Sequence, residues 1–377
     1  MSCTEQPLDY KALHQDAIVV DLHSDTPLRM RRGIDFSVRD TAGHMDIPRL
    51  QEGGIDLQVF ACWISTGTLL DSCKAKVDEL IDTLESQIKK NPDKIEICLT
   101  AADAERIIGE GKIAAFIGIE NGVAIASDIS NVDYFYNRGV RYMTLTHTES
   151  SDWCISSGDD EPAFKGLTDF GRDVVRRMNE LGMIVDISHA HVDAVEEVLK
   201  ITTDPIIASH SCVYALCEHD RNLTDEQIRA IAENGGVIGI NFYNTYLSQE
   251  WKEKADSLYG LIRPQVKMLM EKYKDDDSAR YGAIMELYGQ ITPHMDSLTV
   301  DVNTVVDHID YIVKLVGPEY VGFGSDYDGV PVVPKGLDDC SMVPNITAEL
   351  VNRGYSEKDI RKILGENFMR VFRQVCD

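Results

Sequence analysis

The chain has 377 residues, with 37 basic and 63 acidic side chains and a formal net charge of −26. An apolar fraction of 44% beside a charged fraction of 27% is a globular composition, which excludes a disordered, collagenous or coiled-coil chain. The acidic balance argues against nucleic acid as a partner, because phosphate binding needs a basic face that releases counterions, and against docking on anionic membranes.

The chain shows no apolar run near the roughly 20 residues that span a bilayer. Its first ten residues have neither a basic region nor an apolar core, so no signal peptide is expected, and residues 365–377 are no hydrophobic anchor tail. Nine cysteines lie scattered without a C-x-x-C pair. They are expected as reduced thiols in a cytoplasmic protein.

In chain order, short apolar runs alternate with amphipathic segments. AIVVDLH (17–23), IDLQVFACWI (55–64) and AAFIGIE (114–120) come first, with a helix over Lys74–Lys89 that stops before Asn91-Pro92. YMTLTH (142–147) follows. Thr168 then caps a helix that runs to Leu181 and ends at Gly182. GMIVDIS (182–188) and IIASH (206–210) precede a helix opened by Thr224, with acids in its first turn and Gly235-Gly236 after it. VIGINFY (237–243) and YVGFGSDYD (320–328) complete the set. Nearly continuous apolar runs of this length suit strands buried on both faces of a parallel sheet. Eight such strands with intervening helices predict an α/β fold, a (β/α)8 TIM-like barrel, in one domain over 1–377. A doubly wound open sheet would give the same alternation. Residues 250–300 break the rhythm as a polar, tyrosine-rich helical insertion. A solvated excursion is the expectation there, with a lid or an oligomer contact as rivals.

The polar residues at the strand ends carry the chemistry. Successive runs end in His23-Ser24-Asp25, Glu120, His147, His189, His210 and Asp326. A lone strand-end histidine is usually a hydrogen-bonded structural residue, but a barrel gathers all these ends on one face, where active sites are built. Imidazoles and carboxylates together suit zinc or a similar first-row ion. His23 and Asp25, two apart, point the same way. No lysine stands at a strand end, so a bridge between two ions must be a carboxylate, and Glu120 is the candidate; His189 and His210 complete the second ion. Such a pair lowers the pKa of a bridging water to about 7, giving hydroxide, and Asp326 could move the proton to the leaving group.

Beyond these, His191 is expected in a structural or solvated role, and His14, His44, His219, His294 and His308 at the surface. The 272–277 charge run lacks the glycine and terminal glutamate of a calcium loop. Asp159-Asp160-Glu161 reads as loop surface, and Gly322-x-Gly324 precedes no helix and is no dinucleotide fingerprint. Asp328 and Asp338-Asp339 are expected to bond loops near the site.

At these residues the chain resembles the renal, or membrane, dipeptidase family of zinc metallopeptidases. The resemblance spans nearly the whole chain through VVDLHSDTP (19–27), FIGIENG (116–122), LTHTESSDW (145–153), residues 166–191, PIIASHS (205–211), RNLTDEQI (221–228), NFYNTY (241–246), VGFGSDYDGV (321–330) and residues 354–372. It implies a catalytic (β/α)8 barrel of the metal-dependent hydrolase type with two Zn2+ ions, one held by His23, Asp25 and Glu120 and the other by Glu120, His189 and His210. It also implies that His147 steadies the oxyanion, Arg221 grips the substrate carboxylate, Asp326 shuttles the proton and Tyr246 lines the pocket. The activity implied is hydrolysis of dipeptides, including those with a D-residue at the C-terminal position, and related enzymes are often homodimers. The chain departs from the family at Asn121, a usual glycine, and at Glu149 and Ser150. These departures bear on side-chain preference and leave the metal ligands in place. The insertion is longer than in vertebrate members, and their lipid-anchor signal does not carry over. A binuclear metallohydrolase of a small amide or lactone, and a binding protein that has lost catalysis, are the competing readings.

Overall fold

A computed structural model describes residues 8–274 and 277–377. The N-terminal reading over residues 1–7, and Asp275 and Asp276 of the charge run, lie outside the described residues. Among the described residues nine strands form: β1 (Val20–Asp21), β2 (Leu57–Trp63), β3 (Ile95–Ile97), β4 (Ile113–Glu120), β5 (Val140–Thr144), β6 (Ile184–Asp186), β7 (Ile207–Ala208), β8 (Val237–Ile240) and β9 (Val321–Phe323). All pair in parallel, and eight close a ring in the order β1-β2-β4-β5-β6-β7-β8-β9-β1. This is the expected (β/α)8 barrel, and closure excludes the open sheet.

The ninth strand, β3, was not expected. It pairs with Ile113–Ala115, below the point where β5 joins β4 at Ile117. Its Ile-Glu-Ile pattern is half-exposed, and Glu96 is bonded to Arg106 and Lys112 rather than buried. A strand outside the barrel wall has no reason to be continuously apolar.

Local signals place the helices. Thr168 Oγ1 accepts from Gly171 N at 3.2 Å, and Gly182 ends that helix at φ +76°. Thr224 and Gln227 form a reciprocal capping box. At the N-terminal end of the barrel, Val20, Leu57, Phe116 and Ile184 meet Phe368 and Phe372 of the C-terminal helix Asn367–Cys376. The Phe116 ring lies 5.0 Å from Phe372, edge to face. This helix plugs the bottom of the barrel and leaves the other end for the site.

Two of the histidines assigned to the surface are core residues. His14 is buried between Thr347 Oγ1 (2.7 Å) and the Gly53 carbonyl (2.8 Å). His308 is fully buried, its Nδ1 accepting from Val213 N at 3.1 Å and its Nε2 donating to the Leu247 carbonyl. Both sit on the inward faces of amphipathic helices, which a search restricted to strand ends passes over. His44 and His219 are half-buried beside the site, and His294 is exposed. His191 caps the helix Val192–Ile201, a structural role as expected.

The insertion forms the helices Gln249–Lys272 and Asp277–Ile291. Most of the first helix is exposed, as a solvated excursion would be, but the base of the insertion is packed. Trp251, Ala255 and Met295 are fully buried in a satellite core with Leu258, Tyr259 and Val332.

Candidate active site

Each site residue follows the C-terminal end of a barrel strand. Glu120 is the last residue of β4, whose eight residues are all buried. His23 lies two residues beyond β1, His147 three beyond β5, His189 three beyond β6, His210 two beyond β7 and Asp326 three beyond β9. His189 (φ +69°) and Asp326 (φ +61°) adopt left-handed backbone, which costs about 1–3 kcal/mol for a non-glycine residue and collects at functional sites.

Glu120 is the centre. Its Oε2 lies 3.4 Å from His23 Nε2. Its Oε1 lies 3.0 Å from His189 Nε2, 3.5 Å from His210 Nε2 and 3.6 Å from His147 Nε2. Asp25 Oδ2 is 3.7 Å from His23 Nε2. Three overlapping groups, each with its ligand atoms within 4.8 Å of one another, could hold a metal ion: His23 with Glu120 and His210, Glu120 with His147 and His189, and His23 with Asp25 and Asp326. Gly329 makes room for this cluster, since a Cβ there would collide with the carboxylates of Asp25 and Asp326.

A surrounding layer fixes the imidazoles. His23 Nδ1 is 2.9 Å from the Tyr142 hydroxyl, and the Tyr142 ring fits because Gly118 opposite has no side chain. His210 Nδ1 is 2.7 Å from Ser209 Oγ, which donates to Asp186 Oδ2 at 2.6 Å. In both cases Nε2 is turned to the centre while Nδ1 is occupied, the arrangement that orients a metal-binding histidine. Asn241 Nδ2 donates to Asp326 Oδ2 at 2.8 Å.

The donor set suits metal cations. His23 Nε2 and Asp25 Oδ1 are buried with no hydrogen-bond partner, an expensive state unless a ligand completes them. His189 Nε2 and His210 Nε2 stand 3.0 Å apart, where only one of the two can donate to the other. Burial pushes the pKa of His189 and His210 well down and that of His147 to about 4, so these rings are neutral. Burial works against the charged form of Glu120, but His23, His147, His189 and His210 outweigh it and hold the carboxyl well below its ordinary value. Burial, with Glu120 adding repulsion, raises Asp25 and Asp326.

Above this floor opens a cavity of about 250 Å³, lined in part by Trp63, His147, Tyr243, Tyr246, Met285 and Tyr288. Tyr246 is one of these lining residues. Arg221 is buried and does not itself line the cavity. It donates to the His210 carbonyl (3.1 Å) and Ser211 Oγ (3.3 Å), leaves Nε unpartnered, and lies 5.3 Å from the centre of the Tyr246 ring. Asn121, Glu149 and Ser150 are not among the described residues lining the cavity. Asn121 takes φ +87°, and its amide donates to the Ile64 carbonyl and Thr66 Oγ1. Asp328 bonds Thr26, Arg29 and the His44 amide, as expected of a loop-holding residue. Sequence reasoning missed Trp63, Tyr142, Asp186, Ser209, Asn241, Met285 and Tyr288. Asp186 and Asn241, polar residues within apolar runs, were the available signal.

A closed parallel barrel whose strand ends gather buried imidazoles and carboxylates around one glutamate defines the class of metal-dependent hydrolases. Residues 8–377 match the family described as membrane dipeptidase (peptidase family M19), and the chain belongs to that family. It is a peptide hydrolase of the metallo-dipeptidase type. Among solved structures, the probable dipeptidase PvdM from Pseudomonas aeruginosa is 28% identical, with 97% of each chain covered and a TM-score of 0.83. A metallo peptidase from Rhodobacter sphaeroides, liganded with a phosphinate mimic of the dipeptide L-Ala-D-Ala, is 22% identical, with 96% of this chain and 100% of that chain covered and a TM-score of 0.77. At that identity the second likeness speaks for the fold. No described helix is long and apolar enough to cross a membrane.

Proposed function

We propose that the chain is a zinc dipeptidase with a single catalytic domain and two cation sites, to both of which Glu120 would contribute. The observation that carries this reading is the division of Glu120, one oxygen toward His23 and the other toward His189 and His210. His23 and Asp25 would hold one ion with Glu120, and His189 and His210 the other. The ions would supply an activated water and polarise the peptide carbonyl.

The chain's own residues do the rest. Asp326, with its pKa raised by burial and its carboxylate steadied by Asn241, takes the proton from the attacking water and passes it to the departing amine. His147 is neutral and offers a ring N–H to the developing oxyanion. Its ring is held edge-on by Trp63 at 5.4 Å. Arg221 carries an unused donor and a fixed positive charge beside Tyr246, which suits the free carboxylate of a dipeptide. A small cavity with such a charge behind its Tyr246 wall favours two residues over longer peptides. The phosphinate L-Ala-D-Ala mimic in the Rhodobacter sphaeroides structure supports including L,D-dipeptides among the substrates. The eight described cysteines are all free and buried, which supports a reducing, cytoplasmic setting.

The test is a panel of L,L- and L,D-dipeptides, assayed after chelation and after zinc is restored. Hydrolysis should vanish and return. Arg221→Ala should raise KM for dipeptides by about tenfold or more, since a charge-assisted hydrogen bond is worth about 1.5–3 kcal/mol. Unchanged turnover in metal-free protein, or an Arg221→Ala variant indifferent to the substrate carboxylate, would favour a hydrolase of amides or lactones instead.

A further inference from the structure

The insertion supplies one wall of the site. Met285 and Tyr288, both on the helix Asp277–Ile291, line the cavity above the proposed metal floor. They are half-buried, and they face Trp63, Tyr243, Tyr246 and Val330 from the barrel loops.

The wall is braced from behind. The Tyr288 ring lies 5.0 Å from Tyr259 on the preceding helix. Tyr259 in turn packs into the buried base of the insertion. Trp251, Ala255 and Met295, fully buried, anchor the base of the insertion against Val332 in the loop after β9.

The chemistry of the cavity changes with depth. Its charged lining residues, Asp25, Glu120 and Asp326, all belong to the floor, and its upper walls are apolar, aromatic or neutral. Among the described lining residues, a substrate side chain rising from the floor therefore meets rings and a thioether, and none carries a charge that could pair with it. Moving a charged side chain there sacrifices hydration without a counter-ion, whereas an apolar one gains contact area.

We propose that Met285 and Tyr288 are specificity-determining residues, selecting dipeptides with an apolar side chain over those with a charged one. This rests on the dipeptidase reading above and adds to it the substrate class and the residues that choose it.

The experiment measures kcat/KM of the full-length, zinc-loaded protein on glycylglycine, glycylleucine, leucylglycine, glycylaspartate and aspartylglycine. The wild type should prefer the better leucine dipeptide over its aspartate counterpart by at least about tenfold, the usual worth of one well-filled apolar subsite. In the double variant Met285→Ala/Tyr288→Ala, the ratio of leucine dipeptide to glycylglycine should fall by about tenfold. Met285→Lys should raise turnover of an aspartate dipeptide above the wild-type value, a gain that a misfolded chain cannot produce. Equal turnover of leucine and aspartate dipeptides by the wild type would overturn the proposal while leaving the dipeptidase reading intact. So would variants that lower all five substrates alike. Absence of hydrolysis on every dipeptide would overturn both.

Discussion

Four imidazoles approach Glu120 within 3.0–3.6 Å, and burial alone would push its carboxyl the other way from where they hold it. Elsewhere a single buried histidine shows the same competition with a measurable consequence. His308 accepts from Val213 N through Nδ1, so a proton there would remove an acceptor and place a charge in the core. Its pKa falls from the ordinary 6.5 to about 4, burial being the main cause. Between those values the unfolded chain binds the proton and the folded chain does not. The stability conferred by the neutral ring is therefore complete above pH 6.5 and is lost as pH falls toward 4, by up to about 3 kcal/mol. Urea unfolding from pH 7 to 4 should show a shallower decline in His308→Gln than in the wild type. Parallel curves would contradict this account of the residue.

At the scale of elements, strand ends were the legible part of the sequence. His23, Glu120, His147, His189, His210 and Asp326 were found because apolar runs stop at them, and the barrel then leaves them one place to go. The braces were not legible in the same way. Tyr142 and Ser209 lie inside strand runs, and their bonds to His23 and His210 join segments 119 residues apart and adjacent residues respectively, neither of which a run pattern reveals. The short β3 escaped because it lies outside the ring, and the packing of the insertion escaped because a polar surface pattern hid the few residues, Trp251 and Ala255 among them, that hold its base down. The braces carry a prediction. Ser209→Ala removes the link between His210 and Asp186 and should weaken zinc affinity by about 10- to 100-fold with little change in the fold. Competition with a chromophoric chelator, alongside circular dichroism, measures both. An unchanged affinity would show that His210 needs no such support.

For the whole molecule, the two ends of the barrel divide the work. The C-terminal helix fills the bottom with Phe368 and Phe372, both nearly fully buried, and the donors occupy the top. Phe372→Ala should cost about 3–5 kcal/mol of stability. Its kcat on a dipeptide, measured well below the melting temperature, should stay near that of the wild type. A large loss of activity at full folding would mean that the plug also shapes the site.

The central claim is that Glu120 joins two cation sites, and the direct measurement is a calorimetric titration of zinc into the metal-free protein, with dipeptide hydrolysis followed on the same samples. The account predicts two zinc ions per chain in the wild type, activity appearing only as they bind, and loss of at least one site in Glu120→Gln. One ion or none in the wild type, or hydrolysis before any metal is added, would contradict it.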